Sequence, residues 1–100
     1  MAVTHDVPQI ILQQLGGKRF AAMTGARDFV GSQTSLQMRL RRNLSRANRL
    51  TITLLPSDTY RMEFSTSRLS GNTPIRVFDD VYAEDLQRLF TDVTGFDTRL

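Results

Sequence analysis

The fold is decided by residues 36–65, which read LQMRLRRNLSRANRLTITLLPSDTYRMEFS. In three segments of this stretch apolar and polar side chains alternate, which is the pattern of a strand with one buried face. Polar turns at residues 43–48 and 56–58 separate the segments, so we expect three consecutive antiparallel strands. The side chains expected to face the core are Leu36, Met38, Leu40, Leu50, Ile52, Leu54, Tyr60, Met62 and Phe64.

The first turn and the strand that leads into it carry five arginines within eleven residues. No acidic residue lies between Asp28 and Asp58 to neutralise them. A guanidinium group keeps its charge at physiological pH and presents a planar fork of donors that suits phosphate or carboxylate. The cluster therefore predicts either an anionic partner or a heavily solvated turn, and both interpretations stay open. Its members are Arg39, Arg41, Arg42, Arg46 and Arg49.

Length and composition indicate one small domain over residues 1–100, with residues 1–5 expected to be disordered. Cysteine is absent, which excludes disulfides, thiol nucleophiles and cysteine-based zinc sites. No apolar run reaches the ~20 residues that span a bilayer, and the N-terminus lacks the pattern of a secretory signal. We therefore expect a cytoplasmic protein that does not contact a membrane.

Two helices are predicted, one near each end of the chain. Apolar residues at helical spacing, Pro8 in the first turn and a Gly16-Gly17 exit indicate a helix over Val7–Leu15, capped by Asp6. A second apolar stripe runs from Tyr82 to Val93 and ends at Gly95, with acidic residues in its first turn. Residues 18–24 alternate and predict a short strand, and residues 75–78 predict another.

These elements combine into an α+β fold, with an antiparallel meander of four to five strands and both helices packed on one face. The other face of the sheet would then be open to solvent. The exposed edge strands could also pair two copies of the chain into a homodimer. The side chains expected on the open face are Gln37, Arg39, Arg41, Thr51, Thr53, Arg61 and Glu63.

The residues needed for common catalytic sites are missing. His5 is the only histidine, so a serine triad and a histidine-based zinc site both lack their components. The acidic pairs at residues 79–80 and 84–85 are typical of helix-start charges rather than of a metal site. A Gly16-Gly17 pair that follows a helix is typical of a helix end and not of a phosphate loop. We expect no catalytic residue, metal or cofactor.

A metal-dependent nuclease is the one enzyme class that the sequence faintly suggests. Asp58 and Glu63 resemble the acidic pair of such enzymes, but Ser65 stands where their lysine would follow. Binding of single-stranded nucleic acid by base stacking also has little support, because most aromatic residues occupy predicted core positions. Contacts to phosphate groups remain open. Net charges of +6 on residues 1–50 and −3 on residues 51–100 would steer an anionic partner to one side.

Several turn and core residues, distributed over nearly the whole chain, form a recognisable pattern. They are Gln14, Leu15, Gly16, Gly17, Phe20, Met23, Thr24, Gly25, Ala26, Val81, Tyr82, Ala83, Leu86, Phe90, Thr94 and Gly95. In these positions the chain resembles an uncharacterised family of small proteins encoded by phages and prophages. The resemblance implies a phage or prophage origin and action by binding a host protein, a defence complex or nucleic acid.

The predicted function is a non-enzymatic binding module that engages a polyanionic surface in the host cytoplasm. Nucleic acid is the first candidate partner, and an acidic host protein or a host-directed inhibitory interaction is the alternative. The predicted contacts are Arg39, Arg41, Arg42, Arg46, Arg49 and Arg61.

Overall fold

A computed structural model of the chain describes residues 7–68 and 71–98. Within these residues the chain forms two helices, then five strands, then a third helix. The helices are α1 (Val7–Leu15), α2 (Gly17–Thr24) and α3 (Leu86–Thr94), and a turn of 3₁₀ helix at Ala83–Asp85 precedes α3. The strands are β1 (Arg27–Gly31), β2 (Ser35–Arg39), β3 (Arg49–Leu54), β4 (Tyr60–Arg68) and β5 (Gly71–Val81).

The five strands form one antiparallel meander, in which each strand pairs with the next one along the chain. The predicted α+β class and the three central strands are confirmed. The strand predicted at residues 75–78 is the middle of the eleven-residue β5, and β4 continues three residues beyond Ser65. The helix predicted over Val7–Leu15 has those bounds.

The core lies between one face of the sheet and the three helices. Alternate residues of β2, β3 and β4 are buried on this face, and each such side chain contributes about 1.5–3 kcal/mol when fully buried. Phe90 of α3 links the layers, because its ring lies 4.9 Å from the ring of Phe20 and 6.4 Å from that of Phe64. The fully buried apolar residues of the helices are Ile11, Leu15, Phe20, Leu86 and Phe90.

The strand predicted at residues 18–24 is wrong, since these residues belong to α2. Phe20 and Thr24 are buried one helical turn apart, whereas Ala22, which would lie on the same side of a strand as these two residues, is exposed. The Gly16-Gly17 pair has positive φ at both residues and joins α1 directly to α2. The pair therefore precedes a helix as well as following one. Its position after a helix is thus no longer an argument against a phosphate loop.

Strand β1 was not predicted, because its sequence does not alternate. Asp28 has a φ of 56°, and the register with β2 shifts between Arg27 and Val30. Such a bulge inserts an extra residue and breaks the period of two on which the strand pattern depends. The sequence pattern therefore does not reveal β1, although β1 adds a strand to one edge of the sheet.

The C-terminal helix starts later than predicted. Tyr82 is extended and 60% exposed, so it is not part of the buried stripe, and α3 itself begins at Leu86. Gly95 ends α3 with a φ of 83°, as predicted. The disorder expected for residues 1–5, the single histidine His5 and the expected cap Asp6 all concern positions outside the described residues. Within the described ranges, no helix is both long and apolar enough to cross a membrane.

Candidate anion-binding surface

The connection between β2 and β3, residues 40–48, is held in one conformation by its own side chains, and we call it the arginine loop. Asn43 Nδ2 donates hydrogen bonds to the carbonyl oxygens of Arg41 and Ala47, both at 2.8 Å. Asn43 Oδ1 accepts one from the backbone N–H of Ser45 at 3.0 Å. Arg46 has a left-handed backbone with a φ of 67°. The loop is therefore an ordered scaffold for the arginines it carries.

Asn48 fastens the end of the arginine loop to β4. Its Oδ1 accepts a hydrogen bond from the backbone N–H of Ser67 at 2.7 Å, and its Nδ2 donates to the Ser67 carbonyl at 3.2 Å. Its backbone N–H donates to the carbonyl of Ser65, and its carbonyl accepts from Leu40. Asn48 thus extends the pairing of β3 and β4 by one residue and closes the base of the loop.

The carbonyl ends of two helices also meet the arginine loop. Arg41 Nε donates to the carbonyl oxygen of Thr24 at the end of α2, at 3.0 Å. The backbone N–H of Leu44 donates to the carbonyl of Thr94 at the end of α3, at 3.1 Å. A cation at a helix C-terminus is favourable because unpaired carbonyls concentrate partial negative charge there. Arg41 therefore stabilises the fold, a role that the sequence did not predict.

Glycines make both approaches possible. A Cβ at Gly25 would lie 2.7 Å from Arg41 Cδ, and a Cβ at Gly95 would lie 2.7 Å from Leu44 Cδ1. Both glycines are also left-handed, with φ of 75° and 83°. The guanidinium carbon of Arg41 lies 4.5 Å from the centroid of the Phe96 ring, which adds a cation–π contact to its hydrogen bond.

Three arginines line up across three neighbouring strands on the open face of the sheet. Arg27 of β1 is the register partner of Arg39 of β2, and Arg39 is the register partner of Arg49 of β3. Directly opposed side chains in an antiparallel pair have Cβ atoms about 4.5–5.5 Å apart, and like charges there are destabilising. We call Arg27, Arg39 and Arg49 the arginine row. It concentrates positive charge in a way that the fold itself does not favour.

Little negative charge compensates this concentration. Asp28 Oδ2 lies 3.7 Å from Arg27 Nε and 4.0 Å from Arg39 Nε, and all three side chains are largely exposed. In residues 7–68 and 71–98, no ion pair involves Arg42, Arg46 or Arg49. Of the six arginines of the loop and the row, all of which the structure describes, only Arg27 and Arg39 therefore have an acidic partner, and they share Asp28.

Arg61 lies on the same face but away from the arginine row. Its side chain pairs with Glu63 at 4.0 Å and Asp79 at 3.7 Å, so its charge is compensated. Arg61 is the register partner of Thr53, four residues along β3 from Arg49, or roughly 13 Å at the rise of a strand. The structure does not bring Arg61 together with the other predicted contacts.

The remaining predicted contacts divide between two places. Arg39 and Arg49 belong to the arginine row, whereas Arg41, predicted on the open sheet face, lies beyond the end of β2 in the arginine loop. Arg42 and Arg46 are exposed and contribute to a surface concavity of about 600 Å³ in that loop. The residues that line it are Leu40, Arg41, Arg42, Asn43, Arg46, Ala47 and Asn48.

Sequence reasoning missed Arg27, because it missed β1. One signal could have found it: residues 31–34 read Gly-Ser-Gln-Thr, a typical tight turn, directly before the predicted first strand. A turn in that position indicates a strand before it, and Arg27 would have been assigned to that strand. The register that places Arg27 beside Arg39 still depends on the bulge at Asp28.

Comparison with protein-family models, curated proteins and solved structures finds no match for this chain. Among the residues that the structure describes, no three histidine, cysteine or acidic side chains are grouped so that they could hold a metal ion. What the surface offers chemically is a set of permanently charged guanidinium groups that can bind several negative charges at once.

Proposed function

We propose that the protein is a non-enzymatic module that binds a polyanion, with the phosphate backbone of nucleic acid as the first candidate. The observation that carries this proposal is the arginine row, in which Arg27, Arg39 and Arg49 are direct neighbours across three strands. Arg42 and Arg46 of the adjoining arginine loop extend the positive surface.

The physical reason lies in the cost of the arginine row to the free protein. Opposed like charges lower the stability of a sheet, and sequences that specify a fold generally avoid them except at functional sites. A bound phosphate backbone would place negative charge beside these guanidinium groups and convert repulsion into attraction. Binding would also release counterions, so affinity would depend steeply on salt.

The chemistry of the open face favours contact with the backbone over contact with bases. Among the outward-facing positions of the described strands none is aromatic, so the face has no platform on which bases could stack. The outward neighbours of the row are mainly small or amide side chains such as Gln37 and Thr51. Recognition through charge alone would be independent of nucleotide sequence.

The test is a salt titration of binding to a fluorescently labelled 20-base-pair duplex, measured by anisotropy. Arg39→Gln with Arg49→Gln should weaken binding at least tenfold at low salt, equally for unrelated sequences, and should reduce the slope of log K against log salt by about 1.8. The control is Arg19→Gln with Arg88→Gln, two exposed arginines of α2 and α3 that give the same change in net charge. Absence of binding, salt-independent binding, or an equal effect of the control would contradict the proposal.

The resemblance to small phage and prophage proteins supports a phage-type setting for this module. In that setting it would act in the cytoplasm of the host cell, where both host and phage nucleic acids are accessible.

A protein partner is the second candidate, and the edge strand β5 favours it. Gly71 through Val77 are exposed, and Ile75 and Val77 present apolar side chains that are 38% and 40% exposed. An extended segment of a host protein could pair with this edge. Such binding should be insensitive to salt, unaffected by Arg39→Gln with Arg49→Gln, and weakened by Val77→Lys. The opposite pattern of effects would exclude this candidate.

A further inference from the structure

We propose that Asp28 is an internal competitor, whose carboxylate occupies the place of a phosphate group on the arginine row. This inference rests on the proposed function, since it assigns a regulator to the same surface. It predicts that removing the charge of Asp28 strengthens the binding of a polyanion.

The position of Asp28 supports this role. One of its carboxylate oxygens, Oδ2, lies 3.7 Å from Arg27 Nε and 4.0 Å from Arg39 Nε, so a single oxygen faces two members of the row. An oxygen of a phosphodiester could interact with the same two groups. Within the described ranges, no other acidic side chain forms an ion pair with Arg27, Arg39 or Arg49.

The backbone at Asp28 explains how the carboxylate reaches the row from a neighbouring position in β1. Asp28 has a φ of 56°, in the left-handed region, and lies where the register between β1 and β2 shifts. A bulge of this kind redirects a side chain relative to a regular strand. Asparagine and aspartate tolerate this conformation better than most residues, so Asp28→Asn should preserve the backbone.

The contacts of Asp28 are weak enough for an external anion to replace them. Both distances are near the upper limit for an ion pair, and the side chains of Arg27, Arg39 and Asp28 are 60%, 48% and 62% exposed. Exposed ion pairs contribute little stability and are screened by salt. A nucleic-acid backbone brings several charges at once and gains from counterion release, which one carboxylate cannot match. The carboxylate would lower affinity without preventing binding.

The experiment compares Asp28→Asn with wild-type protein in the duplex anisotropy assay at low salt. The Coulomb interaction of unit charges 4 Å apart in water corresponds to about a fivefold change in affinity, so we expect a gain of that order. The matched control is Asp58→Asn. Asp58 is also exposed and left-handed, with a φ of 67°, and lies in the turn between β3 and β4. The Asp58→Asn variant has the same change in net charge as Asp28→Asn and should alter the affinity for the duplex less than twofold.

The outcomes separate this inference from the proposed function. If wild-type protein binds the duplex and both asparagine variants change affinity equally, the role of Asp28 is wrong while the polyanion site stands. If neither wild type nor Asp28→Asn binds the duplex, both proposals fail.

A second measurement identifies the source of the phosphate. Amide chemical shifts of Arg27, Arg39 and Arg49 are followed while inorganic phosphate or the duplex is added to the Asp28→Asn variant. Shifts with both ligands indicate a general oxyanion site, and shifts with the duplex alone indicate a backbone site; either result places the anion on the row, as the inference requires. If neither ligand changes the amide chemical shifts of the arginine row, the inference is overturned.

Discussion

The rings of Phe20 and Phe90 pack edge to face, with their centroids 4.9 Å apart. Each of the two residues is the first residue of the same sequence motif at the C-terminal end of a helix. The sequence Phe-x₃-Thr-Gly occurs at residues 20–25 and again at residues 90–95. In both endings the threonine Oγ1 donates to the phenylalanine carbonyl, at 2.7 Å and 2.8 Å. Both endings also offer their threonine carbonyl to the arginine loop. Two equivalent helix ends thus attach the charged loop to the core.

The contact between Phe20 and Phe90 should be measurable as a coupling energy. Each Phe→Leu change should lower the free energy of unfolding by about 1–3 kcal/mol, because both rings are fully buried. The double variant should lose about 0.5–1.5 kcal/mol less than the sum of the single losses, since an edge-to-face pair contributes that much beyond its area. Urea unfolding of the four proteins gives the cycle. Phe20→Leu with Phe78→Leu is the control, and its effects should add.

Arg41 should behave differently from Arg42, although the two are adjacent in the chain. Arg41→Lys should lower the free energy of unfolding by about 0.5–1.5 kcal/mol. Lysine has no Nε–H to donate to the Thr24 carbonyl and no planar guanidinium group to stack on the ring of Phe96. Arg42→Lys should change it by less than about 0.5 kcal/mol. Chemical unfolding of both variants tests this, and equal stabilities would refute the capping role of Arg41.

Sequence patterns predicted the centre of this fold because apolar and polar side chains alternate there with the period of two that is typical of strands. Strands β2 and β3 alternate along their length and β4 alternates from Tyr60 to Phe64, so their buried faces could be read directly. Helix α2 was mistaken for a strand because eight residues, two of them alanine, are too few to distinguish a period of about 3.6 from a period of two. The repeated Phe-x₃-Thr-Gly could have corrected this, since its second copy lies at the end of a clearly predicted helix.

The candidate site was predicted only in part, for a different physical reason. The composition of the arginine loop was visible in the sequence, but the arginine row depends on how three strands align. That alignment follows from the geometry of the turn between β1 and β2 and from the bulge at Asp28, neither of which leaves a periodic pattern. Likewise, the capping role of Arg41 depends on the end of α2, a helix that the sequence reasoning did not assign.

Asn48 should contribute to stability through its side chain. Asn48→Ala removes both hydrogen bonds to the backbone of Ser67, so the free energy of unfolding should fall by about 1–2 kcal/mol. The amide of Ser67 should also exchange its hydrogen faster, because it loses its acceptor. Asn72 of β5 is exposed and opposite Ser67, which makes Asn72→Ala a suitable control. Exchange at Ser67 that is the same in all three proteins would contradict the prediction.

Tyr60 should make stability depend on pH at the alkaline end. Burial raises the pKa of Tyr60 above 10.0, hydrogen bonding to Gln14 opposes this rise, and the charge of Asp58 adds to it. The folded protein therefore favours the protonated phenol. The stability linked to this group is fully present below pH 10 and is lost as the pH rises through the higher pKa of the folded state.

Urea unfolding at several pH values between 8 and 12 can isolate this effect. In the wild-type protein the unfolding midpoint should fall above pH 10, whereas in Tyr60→Phe this part of the decline should disappear, because phenylalanine has no proton to lose. Tyr82→Phe is the matched control, since Tyr82 is 60% exposed and should leave the decline unchanged. If Tyr60→Phe and Tyr82→Phe had the same pH dependence, the alkaline decline would have to come from groups other than the buried phenol.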